Sequence, residues 1–368
     1  MSGDELIRMT ATEVARRLAA GDVSPLELVE AAAARIESVN PTVNALPILC
    51  LDKARDRAIS MTDHPPPVSE RGPLWGIPIA VKDYNDLAGV RTTYGSPIFA
   101  DFVAERSDAT VARLEASGAI PIGKSNVPEW AGAHTFNPVF GHTRNPWNSA
   151  RSAGGSSGGS GVALATGMVW LATGNDLGGS LRVPASFNGV VGLRPSPGRV
   201  PRNARLPAFD TLWVEGPMGR NIADVALMLD GGSGHSPGDP LSFDSAGPSF
   251  SQALSGAALP RQVAFSPDLG VVPMEPEVAE ICAGAAEGFA AIGATVCRDT
   301  PDFSGAIEAF QTLRAVLIAL MMEDLLEAHR EQIAPEIVWN IEKGLAVSNA
   351  ELLEAERVRW RLAQDVTA

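Results

Sequence analysis

The chain has 368 residues, 45% of them hydrophobic and 20% charged, a composition that excludes a disordered or fibrous protein and suits one large α/β domain or two smaller ones. Lys and Arg number 29 against 43 Asp and Glu, and the resulting formal charge of −14 argues against nucleic acid or an anionic membrane as a partner. Cys50, Cys282 and Cys297 are too scattered for a disulfide framework or a thiolate metal site, and the acidic start Ser2-Gly3-Asp4-Glu5 resembles no leader, so the chain reads as cytoplasmic.

Helix punctuation begins at once. Thr10 and Glu13 suggest one start; Ser24, Pro25 and Glu27 suggest a second, for a helix expected to reach about Val39 before Asn40-Pro41. Residues 1–60 are therefore expected to form a helical cover over a core at 61–230. Pro65-Pro66-Pro67 and Gly72-Pro73 read as a stiff surface connection. Alternation over Ile77–Val81 predicts a strand with Ile77, Ile79 and Val81 on one face and Lys82 at its end. Ala109–Ser117 reads as helix and Ala119–Ile122 as strand. Further on, Gln262–Ser266 and Thr295–Arg298 read as strands around a helix at Glu277–Ile292, and the pattern after Ala306 is helical, so 231–368 is expected to be an α/β and helical part of the same single domain.

Two glycine-framed serine motifs stand out. Gly154-Gly155-Ser156-Ser157-Gly158-Gly159 is followed, 24 residues on, by Gly178-Gly179-Ser180-Leu181-Arg182. Flexible linkers do not flank a compact apolar stretch such as Val162–Leu171, so both motifs read as active-site backbone. A serine hydroxyl needs a base, and His64, His134, His142, His235 and His329 all sit in loop or polar contexts. A buried lysine can serve instead, because desolvation favours its neutral form. Lys82 suits that role, although Asp83 and Asp86 beside it also allow a plain ion pair.

These segments together resemble the amidase signature family of serine hydrolases. The resemblance runs through Gly76-Ile77-Pro78-Ile79-Ala80-Val81-Lys82-Asp83, Gly123-Lys124-Ser125-Asn126-Val127-Pro128-Glu129, Asn145-Pro146-Trp147, both serine motifs, and Gly189-Val190-Val191-Gly192-Leu193-Arg194-Pro195. It implies an α/β fold with a mixed central β-sheet covered by helices on both faces. It also implies a Ser-cisSer-Lys triad with Ser180 as nucleophile, Ser156 as relay after a cis Gly155-Ser156 bond, and Lys82 as base. The amides of Leu177, Gly178, Gly179 and Ser180 would form the oxyanion hole, with Asp176 and Arg182 supporting the loop. Ser157 would either join the serine cluster or cap the following helix. The expected reaction is hydrolysis of a linear carboxamide to carboxylate and ammonia or amine, with no cofactor or metal and a small-molecule amide as substrate; a homodimer is a further expectation. The loop Trp130–Phe140 is a candidate lining of the acyl pocket, or a plain surface turn.

The sequence departs from the family pattern at Asn175, where Thr is more usual. The chain also ends at Ala368 without the family's Gly-Leu-Pro strand, so the sheet is expected to be incomplete on its C-terminal side. Three alternatives follow: a catalytically idle amidase-like binding subunit or truncated product, an α/β-hydrolase-type esterase using Ser157 within Gly-x-Ser-x-Gly, and an amidotransferase component supplying ammonia from glutamine.

Overall fold

In the computed structural model, which describes residues 2–202, 205–244 and 246–368, Ser24 and Glu27 close the capping box that their spacing predicts. The Glu27 N–H donates to Ser24 Oγ at 3.2 Å and the Ser24 N–H to Glu27 Oε2 at 2.8 Å. The helix so begun is Pro25–Val43, longer than expected, because it continues through Pro41 and stops only at Asn44, whose φ of 51° is left-handed. A proline in the final turn removes one intrahelical donor, opposite the carbonyl of the exposed Glu37, where water can substitute. Its neighbour Asn40 then fastens the exit: Oδ1 accepts from the Ala45 and Leu46 amides, both at 2.9 Å.

The chain divides into two units, Met1–Leu254 with His329–Ile337 and Ser255–Ala328 with Val338–Ala368. The strands in chain order are β1 (Ile48–Leu49), β2 (Pro78–Lys82), β3 (Ile120–Ser125), β4 (Phe136–Asn137), β5 (Gly141–His142), β6 (Leu171–Asp176), β7 (Val191–Gly192), β8 (Val214–Gly219), β9 (Gln262–Phe265) and β10 (Thr295–Arg298). In the first unit, a six-stranded mixed sheet runs β1-β3-β2-β6-β8-β7. Its central strands β3, β2 and β6 are parallel, and β1, β8 and β7 pair antiparallel around them. Every residue of β2, β3, β6 and β8 is buried. The alternation read in β2 therefore does not separate an inner face from a wet one; both faces are covered, as parallel sheets require. The apolar core includes Leu28, Ile36, Ile79, Ile122, Trp170 and Met218.

Because β2, β3 and β6 are parallel, their C-terminal ends Lys82, Ser125 and Asp176 reach one edge of the sheet. Crevices for ligands form beyond such ends. The helix Gly158–Ala165 packs behind that edge, and in its first turn Gly159 lies so close to other backbone that no side chain fits there: a Cβ would strike the Asn126 amide and stand 2.7 Å from Ala45 O. Gly159→Ala is therefore expected to destabilise the protein by about 3 kcal/mol or more, read from chemical denaturation; a loss below about 1 kcal/mol would show that the backbone yields.

In the second unit, β9 and β10 pair in parallel over four residues on either side of the helix Pro276–Ala291. The long helix Ala306–His329 buries Leu313, Leu317, Ile318 and Met322, and a further complete capping box, Ser348 with Glu351, opens the helix Asn349–Thr367. Among the described residues no helix is long and apolar enough to cross a membrane.

Candidate active site

Lys82 ends β2 with its side chain wholly buried. Its Nζ lies 2.7 Å from Ser156 Oγ, 2.8 Å from Ser157 Oγ and 2.5 Å from Asn175 Oδ1, and 4.7 Å from the centre of the Tyr84 ring. An ammonium donates to all three oxygens. A neutral amine has two N–H groups and one lone pair, and because Asn175 Oδ1 can only accept, a serine O–H must fill the lone pair. Burial brings the lysine down to about 7, against the pull of the Glu215 and Asp176 charges, which favour the ammonium. The amine is thus set to exchange a proton with a serine near neutral pH.

The carboxylate that follows Lys82 does not bind it. Consecutive strand residues point to opposite faces, and Asp83 Oδ1 instead receives Lys124 Nζ at 2.8 Å in a buried ion pair, with Thr92 Oγ1 also accepting from that lysine at 2.8 Å. Asp83 Oδ2 accepts from the Thr93 amide and hydroxyl.

The Gly155–Ser156 peptide is cis. Ser156 and Ser157 are both buried. Ser157 stands at the N-terminal cap of the helix Gly158–Ala165 but makes no side-chain cap bond; its hydroxyl is engaged by Lys82. The Ser157 N–H donates to the Ser180 carbonyl at 3.3 Å, so the two serine motifs meet through main chain. Among the described residues no hydrogen bond joins the Ser156 and Ser180 hydroxyls. Ser180 itself is half-buried.

Asp176, at the end of β6, organises the second motif. Its carboxylate accepts from the Gly179 amide at 2.8 Å, the Leu181 amide at 3.1 Å, and Arg182 Nε and Nη2 at 3.0 and 3.1 Å, while Arg194 Nη1 lies 3.4 Å away. Burial pushes this carboxyl up, but the Arg182 guanidinium and the two amides outweigh it and hold the group below its ordinary value. Gly179 takes a φ of 101°, which allows the tight turn that aims its N–H at Asp176. Of the four amides expected in an oxyanion hole, Gly179 is therefore committed to Asp176; those of Leu177, Gly178 and Ser180 donate to no protein group among the described residues.

The histidines stand apart. His134 Nδ1 is 2.9 Å from Ser152 Oγ, His142 stacks on Phe136, and His235 sits with Ser242 and Asp244. An esterase built on Ser157 would need a histidine at its hydroxyl, and Lys82 occupies that place. Residues of the loop Trp130–Phe140, including Ala133, His134 and Thr135, line a cavity of about 950 Å³, and the Ala133 carbonyl is the group a Cβ on Gly155 would strike, at 2.6 Å. Among the described residues no cluster of His, Cys, Asp and Glu is placed to hold a metal ion.

Sequence reasoning left Glu215, Asn85 and Thr173 without a role. Thr173 Oγ1 accepts the Lys82 main-chain N–H at 2.7 Å, and Asn85 Nδ2 donates to Glu215 Oε2 at 3.2 Å. The available signal was the acidic residue in the otherwise uncharged run Trp213-Val214-Glu215-Gly216-Pro217-Met218.

A family model described as Amidase matches residues 27–368. The chain is 37% identical over 311 residues to an acylamidase of Rhodococcus erythropolis, covering 84% of this chain and 65% of that protein. It is 39% identical over 291 residues to a glutamyl-tRNA(Gln) amidotransferase component of Chloroflexus aurantiacus, covering 79% and 60%. The chain thus spans between 60% and 65% of the length of these curated relatives. Among solved structures it is similar to a 6-aminohexanoate cyclic dimer hydrolase in complex with substrate (TM-score 0.87, 30% identity, 98% of this chain and 76% of that one). A bacterial aryl acylamidase of the amidase signature family is likewise similar (TM-score 0.87, 27% identity, 96% and 76%).

Proposed function

Since the chain belongs to the amidase family, we propose that it hydrolyses a linear carboxamide to the carboxylate and ammonia or an amine through an acyl-Ser180 intermediate. The observation that carries this reading is the buried Lys82 amine held between the Ser156 and Ser157 hydroxyls and Asn175. Neutral Lys82 takes the Ser156 proton, Ser156 takes that of Ser180, and Ser180 Oγ adds to the amide carbon. The carbonyl oxygen becomes an oxyanion facing the turn Leu177–Ser180; with Gly179 bound to Asp176, the amides of Leu177, Gly178 and Ser180 take its charge. As the C–N bond breaks, Lys82 returns its proton through Ser156 to the leaving nitrogen. Water then adds to the acyl carbon, gives its proton to the relay, and releases the carboxylate with Ser180 restored.

Ser180→Ala is expected to abolish covalent labelling by a fluorophosphonate and amide turnover together; undiminished labelling of that variant would overturn the nucleophile assignment. A panel of aliphatic, aromatic and amino-acid amides assayed for ammonia identifies the substrate. The similarity to the Chloroflexus amidotransferase component favours a second reading, glutamine as the ammonia source, and glutamine belongs in the same panel. An idle binding subunit is disfavoured by the packing of Lys82 against both serines, which a scaffold does not require.

A further inference from the structure

Strand β8 brings to the lysine a carboxylate that the serine motifs do not announce. Asn175 and Glu215 are direct partners across the antiparallel β6–β8 ladder, so the residue that accepts from Lys82 Nζ stands side by side with Glu215. Glu215 is only 2% exposed. Its Oε1 accepts from Trp213 Nε1 at 3.1 Å and its Oε2 from Asn85 Nδ2 at 3.2 Å. Asn85 Oδ1 in turn accepts from Thr173 Oγ1 at 3.3 Å, the same oxygen that receives the Lys82 main-chain N–H. One set of side chains thus fixes both the carboxylate and the strand that carries the lysine. Burying a carboxylate is costly unless a cation answers it, and the cation facing Glu215 is that of Lys82.

We propose that Glu215 is a positioning residue for Lys82, which, beside the Asn175 carboxamide, holds the ammonium formed when the lysine takes the proton from Ser156. This rests on the reading of Lys82 as the base. The balance is simple: the O–H bond of Ser156 breaks, an N–H bond forms on Lys82, and the new positive charge is met by the Glu215 carboxylate in a region closed to water. Burial pushes the Glu215 carboxyl up and the Lys82 ammonium down, and the attraction between them opposes both shifts. Among the described residues the other ionisable groups facing the pair are Asp176 from β6, which also favours the ammonium, and Asp108, which sets a like charge against Glu215. The Tyr84 ring face covers Nζ from the segment after β2.

The chain has four lysines, Lys53, Lys82, Lys124 and Lys343, so the protein labelled with 13Cε-lysine gives few resonances, and Lys82→Met assigns the one of interest. Its titration midpoint in the parent protein is expected at about 7. In Glu215→Gln, which preserves the shape and removes the charge, the midpoint is expected to fall by about one pH unit or more, while Glu215→Asp stays nearer the parent. A folded Glu215→Gln protein with an unmoved midpoint overturns the proposal. Should Glu215→Gln not fold, Asn175→Ala, which takes the acceptor from the ammonium, is expected to lower the midpoint in the same direction, and no change there overturns it equally. Fluorophosphonate labelling of the same samples keeps the two readings apart. A protein that shows the shift but never labels at Ser180 loses the acyl-enzyme and keeps the Lys82–Glu215 link, whereas a labelled protein whose midpoint ignores Glu215 loses only this inference.

Discussion

Lys82→Met is expected to lower the rate of Ser180 acylation by about 10⁴-fold while leaving the protein close to its parent in stability at pH 6. The two outcomes have one cause. Lys82 is buried and its proton affinity in the folded state lies well below that of a free lysine, at about 7 against 10.5. Because the unfolded chain binds the proton more tightly, lysine at this position destabilises the fold most fully below about pH 7, and the penalty fades as pH rises toward 10.5. Methionine removes the penalty, a few kcal/mol, against two opposing losses: the hydrogen bonds to Asn175 and the serines, about 1–3 kcal/mol for a stranded buried acceptor, and the cation that answers Glu215, whose carboxyl, already raised by burial, then takes up a proton to escape an unpaired charge. The comparison is made by thermal unfolding at pH 6 and pH 9 beside fluorophosphonate labelling. Retained labelling removes Lys82 from the proposed mechanism; a large loss of stability shows that the lysine is structural, the ordinary fate of a buried cation with well-placed acceptors.

Asp176→Ala is expected to behave in the opposite way, losing about 4 kcal/mol of stability and at least about 10²-fold in acylation rate. Its carboxylate is the common acceptor for two amides of the nucleophile turn and for Arg182, with Arg194 close by. Alanine strands all of these donors at once and frees the Gly179 turn to leave its shape. Since the folded state holds this carboxyl below its ordinary value, its stabilisation is fully present above the usual carboxylate range and disappears as pH falls through the folded value. The gap between parent and variant in denaturant midpoint should therefore narrow below about pH 4. A gap that is constant with pH would assign the loss to packing rather than to the charge.

Much of this was legible in the sequence because the signals are local. Ser24, Pro25 and Glu27 contain their own hydrogen-bonding instructions, and the strand ending in Lys82 shows in five residues of alternation. The serine motifs carry glycine where the backbone needs it, at Gly159 against Asn126 and at Gly179 with its positive φ. What stayed hidden depends on register. Asp83 looks like the partner of Lys82 in a linear reading, but the pleat turns it away toward Lys124 on β3, and only the β2–β3 pairing reveals this. Glu215 is farther still from view: its meaning comes from lying opposite Asn175 in an antiparallel ladder, and no spacing rule links two such segments. The overrun of the helix Pro25–Val43 past Pro41 is of a different kind. Proline forbids a donor, not a carbonyl, so at the last turn the rule that ends helices loses its force.

The clamp on the nucleophile turn has an electrostatic consequence. One carboxylate, Asp176, stands between two guanidiniums, Arg182 and Arg194, leaving that corner with a net unit of positive charge on a chain whose formal charge is −14. The turn that carries Ser180 is therefore flanked by a local excess of positive charge. A neutral amide approaches such a surface without steering, but the negative charge that forms on its oxygen meets a positive neighbourhood already in place, and Arg182, being largely exposed, leaves part of that help open to screening by salt.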